Sequence, residues 1–534
     1  MDETTLFNSA QNQSSEKEAN EVNALDNQDK NITEGSQAQV TQEPVIPKEP
    51  IVNPLTNPSP LPTFDSPLYQ SPTYEEKTPG DIPPPITQSR RPIPLGTVIR
   101  FLLGFAVFVV IAIVIFIFAK SNFGTKPKIT LTYWGLWEDQ NTMNSIISDF
   151  EKKNPNIIIN YQKQDIAQYE QRLQTRIQEN ASDAPDIYRF HNTWTSSLRN
   201  YLAPVPSTTM TTDMFQKTFY PVASDDLIKN NVLYGIPLEI DTLSLFINTD
   251  AFSASGQKAP TDLISDFPRV ATLLTSVQSN GDINKSGVAL GTYDYINHAP
   301  DIISYLLAIE GVDLKNLSSD QNQKYTAEAL DYYTKYALST DTHPALWSDK
   351  LGNSLDAFAQ GNVAMYFGYS WDVSLIQAEN KNLHFAVVPV PQLPPNKTTI
   401  ASYWAEGVSS KTKHLKEAML FLNFLAQKQT EEEFYQAAAK ERGYGEPYAR
   451  VDLASTLQSN PLIYPFVEQA SYATSSYFAG DTGDDPGVGL NGVMDQYLSG
   501  AINSILSTSN PTSPQTAAQT LGTQVQQSLP QYGY

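Results

Sequence analysis

The chain has 534 residues, with 57 acidic against 35 basic side chains, a formal net charge of −22 and no cysteine. So acidic a chain is not built to hold nucleic acid, because phosphate binding needs Lys and Arg. The missing thiol excludes disulfides, thiolate metal sites, cysteine nucleophiles and a lipidated cysteine anchor.

In chain order, residues 1–97 come first. Residues 1–40 are rich in Asn, Gln, Ser and Glu, and residues 41–97 hold fifteen of the 37 prolines. Such a segment buries too little apolar surface to offset its chain entropy, so the composition predicts a disordered, polyproline-like tail. It reads as a solvated spacer or, through its PxxP spacings, as a docking site for a proline-reading domain.

The uncharged apolar run Phe101–Ala119 follows, bracketed by Arg100 and Lys120. As a helix it spans ~28 Å, close to the ~30 Å of a bilayer core. Nineteen apolar residues leave no side for solvent, and the run lies too far from the N-terminus for an ordinary signal peptide. It predicts one transmembrane helix over 98–120, then a linker over 121–128. Arg90, Arg91 and Arg100 before the run balance Lys120, Lys126 and Lys128 after it, so flanking charge gives no orientation.

Residues 129–534 are long enough for two domains or more. Ile129–Trp134 alternates as a strand does. Met143, Ile146, Ile147 and Phe150 then mark the buried stripe of a helix, which Asn154-Pro155 stops. A second strand is expected over Ile157–Tyr161, a second helix through Tyr169, Leu173 and Ile177, and a third strand over Asp186–Phe190. This alternation predicts a parallel α/β sheet whose ligand lies beyond the carboxyl ends of the strands.

Five stretches add specificity: ITLTYWGLWED from Ile129, NASDAPDIYRF from Asn180, LYGIPLEIDTLSLFINTDAF from Leu233, QGNVAMYFGYSWDVSLI from Gln360 and YWAEGVSSKTKHLKEAMLFLNFL from Tyr403. In content, order and spacing they resemble the family 1 extracellular solute-binding proteins, the maltose-binding-protein-like receptors of ABC importers. The resemblance implies an α/β, two-lobed periplasmic-binding-protein-like fold with a hinge. It places lobe one at about 129–241 and 397–440, and lobe two at about 242–396 and 441–534. It also implies hinge closure on a solute, delivery to permease subunits of an ABC importer, and a cell-membrane location with the tail cytoplasmic and the lobes extracellular.

Carbohydrate is the expected solute, because indole faces cover C–H faces of sugars while carboxylates and amides meet the hydroxyl rim. The resemblance assigns a ligand-facing turn to Trp137, Glu138 and Asp139, a polar-aromatic cluster to Phe190, His191, Asn192 and Trp194, an acidic ligand to Asp241 and a stacking indole to Trp371. Glu239 shares a face with Asp241 on an extended segment. Trp404, Glu406 and Tyr444, the last in a glycine-flanked loop, complete the candidates. Structural roles compete for several: Asp139 as a helix cap, Trp134 as core, Glu239 and Asp241 as hinge residues.

The single triplet Asp481-Thr482-Gly483 lacks the second carboxylate of an aspartic protease. Asp481, Asp484 and Asp485 read as an exposed acidic loop rather than a calcium site. The five histidines show no metal-ligand spacing, and no phosphate-binding loop is present. No catalytic residue, metal or cofactor is therefore expected. A sensor signalling through the tail is the alternative reading; an anchored glycoside hydrolase, needing two carboxylates ~5–9 Å apart, is the weaker one.

Overall fold

The computed structural model describes residues 94–122, 127–340 and 344–534. Residues 1–93 of the predicted tail, part of the linker and His343 lie outside the described residues. The chain divides into a unit ending at Ile99 and a unit from Arg100 to Tyr534, and the site lies wholly in the second.

The apolar run lies in one helix, α1 (Leu95–Asn122), of 28 residues. From Phe101 to Ile115 every described side chain on it is exposed. Among the described residues no helix is long and apolar enough to cross a membrane, so the expected span is not shown there.

The alternating pattern that follows folds as its periodicity predicts. It gives β1 (Ile129–Gly135), α2 (Gln140–Lys153), β2 (Ile157–Lys163), α3 (Tyr169–Gln178) and β3 (Ile187–His191). The buried side of α2 carries Met143, Ile146, Ile147 and Phe150; that of α3 carries Tyr169, Leu173 and Ile177, together with Glu170. Next come β4 (Ile236–Pro237), β5 (Asp241–Thr242), β6 (Ser244–Asn248) and α4 (Ala299–Ile309). After them lie β7 (Met365–Gly368), α5 (Ser370–Glu379), β8 (Phe385–Val388), β9 (Thr399–Ser402) and β10 (Trp404–Val408). The chain ends with α6 (Leu415–Leu425), β11 (Ala473–Thr474), α7 (Gly489–Leu506) and α8 (Pro514–Ser528).

Three sheets organise these elements. The first has the order β2-β1-β3-β10-β4, with β1, β2 and β3 parallel, as predicted, and β10 antiparallel to β3 and β4. Its core gathers Tyr133, Phe150, Tyr188, Phe190 and Phe421. The second, β7-β6-β8, is antiparallel and belongs to a separate core built on Phe246, Phe267, Tyr305, Phe358 and Leu521. In the third, β9 pairs with β5 and β11. Its strands β5 and β9 run directly into β6 and β10 respectively, so this small sheet carries the crossings between the two cores.

A buried ion triad crosses the centre of the first sheet. Arg189 on β3 faces Glu406, its register partner on β10, and Glu138 just after β1. Arg189 Nε lies 2.7 Å from Glu406 Oε1, and Nη1 lies 2.8 and 2.7 Å from the two oxygens of Glu138. All three side chains are at most 4% exposed. Removing the cation strands two carboxylates in a low-dielectric core, whereas an apolar replacement of the whole triad strands none. Arg189→Ala is expected to cost ~3–5 kcal/mol in denaturant unfolding, and the triple variant Glu138→Leu, Arg189→Met, Glu406→Leu to recover most of that loss. Equal losses in both would show that the charges are not the source of the cost.

Candidate ligand cleft between the two cores

A cleft of about 560 Å³ is lined by Trp137, Trp404 and Ser402 from the first core and its flanks, and by Trp371, Ser374 and Leu375 from α5. Glu239 and Asp241 on the crossing segment, Glu446, and Asp481 with Gly483 complete its polar lining. Five sequence candidates thus meet here: Trp137, Glu239, Asp241, Trp371 and Trp404.

Each indole is held by what lies behind it. Trp371 stacks on Tyr369 at 4.5 Å between ring centroids and 17° between planes, so only its other face is available to a ligand. Tyr369 is fixed in turn by its hydroxyl, which donates to Asp301 Oδ1 at 2.9 Å. Trp404 is met edge-on by Trp137, Trp194 and His191 at 5.6, 5.2 and 5.1 Å, a T-shaped cluster favoured by the ring quadrupoles. Asp241 accepts from the backbone N–H of Ser370 at 2.9 Å and thereby ties the crossing segment to the start of α5. Burial pushes its carboxyl well above the usual range, and the nearby charge of Glu446 pushes the same way.

The other candidates do not line the cleft. Glu138 and Glu406 are consumed by Arg189. Asp139 occupies the N-cap position of α2, but its carboxylate makes no capping bond and pairs with Lys163 at 2.6 Å instead. Phe190 is core, as is Trp134. His191 bridges Thr193 Oγ1 at 2.8 Å and Ser402 Oγ at 3.1 Å, and burial pushes its imidazole down to about 3, so it works neutral. Asn192 donates to Asp226, and Trp194 donates through Nε1 to Asn491 Oδ1 at 2.7 Å. Tyr444 is buried rather than displayed: its hydroxyl donates to Ser370 O and accepts from Ser374 N–H, which steadies the start of α5. These residues shape the cleft walls from behind.

Two supports escaped sequence reasoning. His298, just before α4, lies between Asp372 Oδ2 at 2.8 Å and Asp481 Oδ2 at 2.9 Å. Burial opposes its charge, but the two carboxylates outweigh burial and hold it well above the usual imidazole range. Asp372 also accepts from Tyr369 N–H and Tyr366 O–H. Position 368 must be glycine for this, since a Cβ there would collide with the Asp372 carboxylate. The second support is the loop around Asp481, which has a left-handed φ of +54°. It reaches both cores: Asp481 meets His298, and Gly483 O accepts from Gln168 N–H at 3.1 Å. Beside the cleft, a further cavity of about 550 Å³ shares Asp481 and Gly483 with it and continues past Asp294, Asp484 and Asp495.

Residues 145–464 match the family model of bacterial extracellular solute-binding proteins. The chain belongs to that family. Its members bind solutes rather than transform them. One relative, the "Multiple sugar-binding protein" of Streptococcus mutans, is 21% identical over 336 residues, covering 59% of this chain and 76% of its own. A cyclo/maltodextrin-binding protein complexed with maltotetraose superposes with a TM-score of 0.59 at 17% identity, covering 76% of this chain and 98% of that one. The sugar-binding protein MalE of Xanthomonas citri gives 0.58 at 17% identity over 75% and 97%. The Listeria monocytogenes ABC substrate-binding protein in complex with cycloalternan gives 0.56 at 20% over 76% and 99%. These likenesses establish the two-lobed fold of this family.

Burial raises Asp484 to about 8, helped by the charge of Glu170, and burial raises Glu170 to about 7. Both groups hold protons more tightly folded than unfolded, so their contribution to stability is complete at acid pH and fades as pH rises through about 7–8. Asp484→Asn is expected to flatten the fall in melting temperature between about pH 5 and 8. Calorimetric melting at several pH values checks this, and an unchanged slope would show that Asp484 does not titrate in that range.

Proposed function

We propose that this protein is a membrane-anchored extracellular receptor that captures a carbohydrate between its two lobes by hinge closure and delivers it to an ABC importer. The observation that carries the carbohydrate reading is the cleft itself. Three tryptophans from opposite walls, Trp371 against Trp137 and Trp404, surround a rim of carboxylates and hydroxyls. Flat aromatic faces suit the C–H faces of a sugar ring, and the rim suits its hydroxyls. The ligands bound by the fold neighbours, maltotetraose and cycloalternan among them, support the same class.

The anchor is α1. Its 28 residues carry an apolar sequence that continues to Ala119, and its described side chains are exposed. Such a surface is stable in hydrocarbon and not in water. With no cysteine to lipidate, this helix is the anchor the sequence offers, tail inside and lobes outside. Tethering a receptor near its transporter raises the local concentration of bound solute there.

Two measurements test the reading. A saccharide panel is expected to contain at least one sugar that raises the melting temperature, because a ligand that binds only the folded state stabilises it. Trp371→Ala is expected to weaken that sugar by ~1–3 kcal/mol, roughly 5- to 150-fold in Kd, with little change in the melting of the free protein. Unaltered affinity would remove Trp371 from the site. For the anchor, the full chain should resist alkaline extraction from membranes and a chain starting at residue 127 should not; release of both would refute the span.

A further inference from the structure

The carboxylates that line the cleft are not equivalent. Asp241 is engaged by backbone: its Oδ1 accepts from Thr242 N–H and its Oδ2 from Ser370 N–H, both at 2.9 Å. Glu239 is buried. Asp481 lines the same cleft with its side chain 50% exposed, and only its Oδ2 is taken, 2.9 Å from His298 Nδ1. A carboxylate accepts through two oxygens, and among the described residues Asp481 Oδ1 receives no hydrogen bond. The position of this half-exposed group is nevertheless fixed from behind. His298 precedes α4, and Asp301 lies in the first turn of that helix. Each bridges the Asp481 loop to the wall that carries Trp371. His298 joins Asp481 to Asp372 and meets the Trp371 ring edge-on at 6.0 Å between centroids. Asp301 Oδ2 accepts from Gly480 N–H at 3.2 Å, while its Oδ1 accepts from the hydroxyl of Tyr369, the ring stacked on Trp371. The other end of the loop rests on the first core. Gly483 O accepts from Gln168 N–H, and a Cβ at Gly483 would collide with Ile166, which also lines the cleft.

We infer that Asp481 is a solute-binding residue, a hydrogen-bond acceptor fixed by His298 that receives one hydroxyl of the sugar held in the cleft. This rests on the carbohydrate reading of the cleft. An ionised carboxylate accepts and does not donate, so at one ring position it selects a hydroxyl over a hydrogen or a methoxy group. A hydrogen bond to a charged group is stronger than one between neutral groups. An acceptor already held in place also loses less freedom when the ligand arrives. The same first turn of α4 sets both Asp481 and the Tyr369–Trp371 stack, so the acceptor and the indole face are positioned relative to each other before any sugar binds.

The test is calorimetric titration of the full chain in detergent with maltotetraose, mannotriose, cycloalternan and tagatose, followed by monodeoxy forms of whichever sugar binds. Asp481→Gly removes the carboxylate and suits the left-handed φ of +54° at that position, so the loop keeps its path. It is expected to weaken the bound sugar about tenfold or more. Asp481→Asn, also tolerated in that backbone region, keeps the shape of the side chain and is expected to lose less. One deoxy form should bind the wild type about tenfold more weakly than the parent sugar. That form and the parent should bind Asp481→Gly equally, because the missing hydroxyl and the missing carboxylate are two ends of one bond. Wild-type affinity in both variants overturns the inference and leaves the carbohydrate reading standing. So does a deoxy penalty that is the same in the wild type and Asp481→Gly at every ring position, since Asp481 would then hold the loop and not the sugar. Failure of all four sugars, and of the wider saccharide panel, overturns both.

Discussion

The ion triad of Glu138, Arg189 and Glu406 is the constraint on which the cleft depends. It links the end of β1 to β3 and β10 at the centre of a sheet where only the middle strand carries the cation. Trp137 precedes Glu138 and Trp404 lies two residues before Glu406, so the salt bridges fix the two segments that deliver both indoles to one wall. Buried charge of this sort is weak evidence for stability. Here it does geometric work, since a planar guanidinium forked between two carboxylates admits few arrangements of the strands that carry them.

The opposite wall is built by different means. Trp371 is held by stacking on Tyr369, and α5 is anchored at its start by Asp372, Asp241 and the Tyr444 hydroxyl. The bond from Asp241 to Ser370 N–H joins the crossing segment to this wall. The loop around Asp481 touches both cores and closes one end of the cleft. The two cores are separate, and short strands of the crossing sheet run between them.

The elements of the first core were legible in the sequence because periodicity and burial agree there. Met143 to Phe150 and Tyr169 to Ile177 fall on one helical face and are buried on it, and β1, β2 and β3 pair in parallel as the spacing implied. The cleft was legible in part. Trp137, just beyond the end of β1, announced itself by position, and Trp404 opens β10. Glu138 and Glu406 misled because a carboxylate close in sequence to a cleft indole reads as a ligand group until its cross-strand neighbour is known. Tyr444, expected on display between glycines, turned inward because two backbone groups at the start of α5 needed its hydroxyl. Asp481 looked like one member of an exposed acidic loop. Only folding brings it to His298, which lies 183 positions earlier.

The sequence by itself determined the family, the order of strands and helices, the apolar helix before the lobes and the exclusion of cysteine chemistry. Those follow from composition, from periods of two and 3.6 residues, and from motif order, all of which are local along the chain. Only the tertiary structure decided which carboxylates line the cleft and which are buried against Arg189. That choice depends on strand register and on contacts between residues hundreds of positions apart, and one register step exchanges a buried side chain for an exposed one.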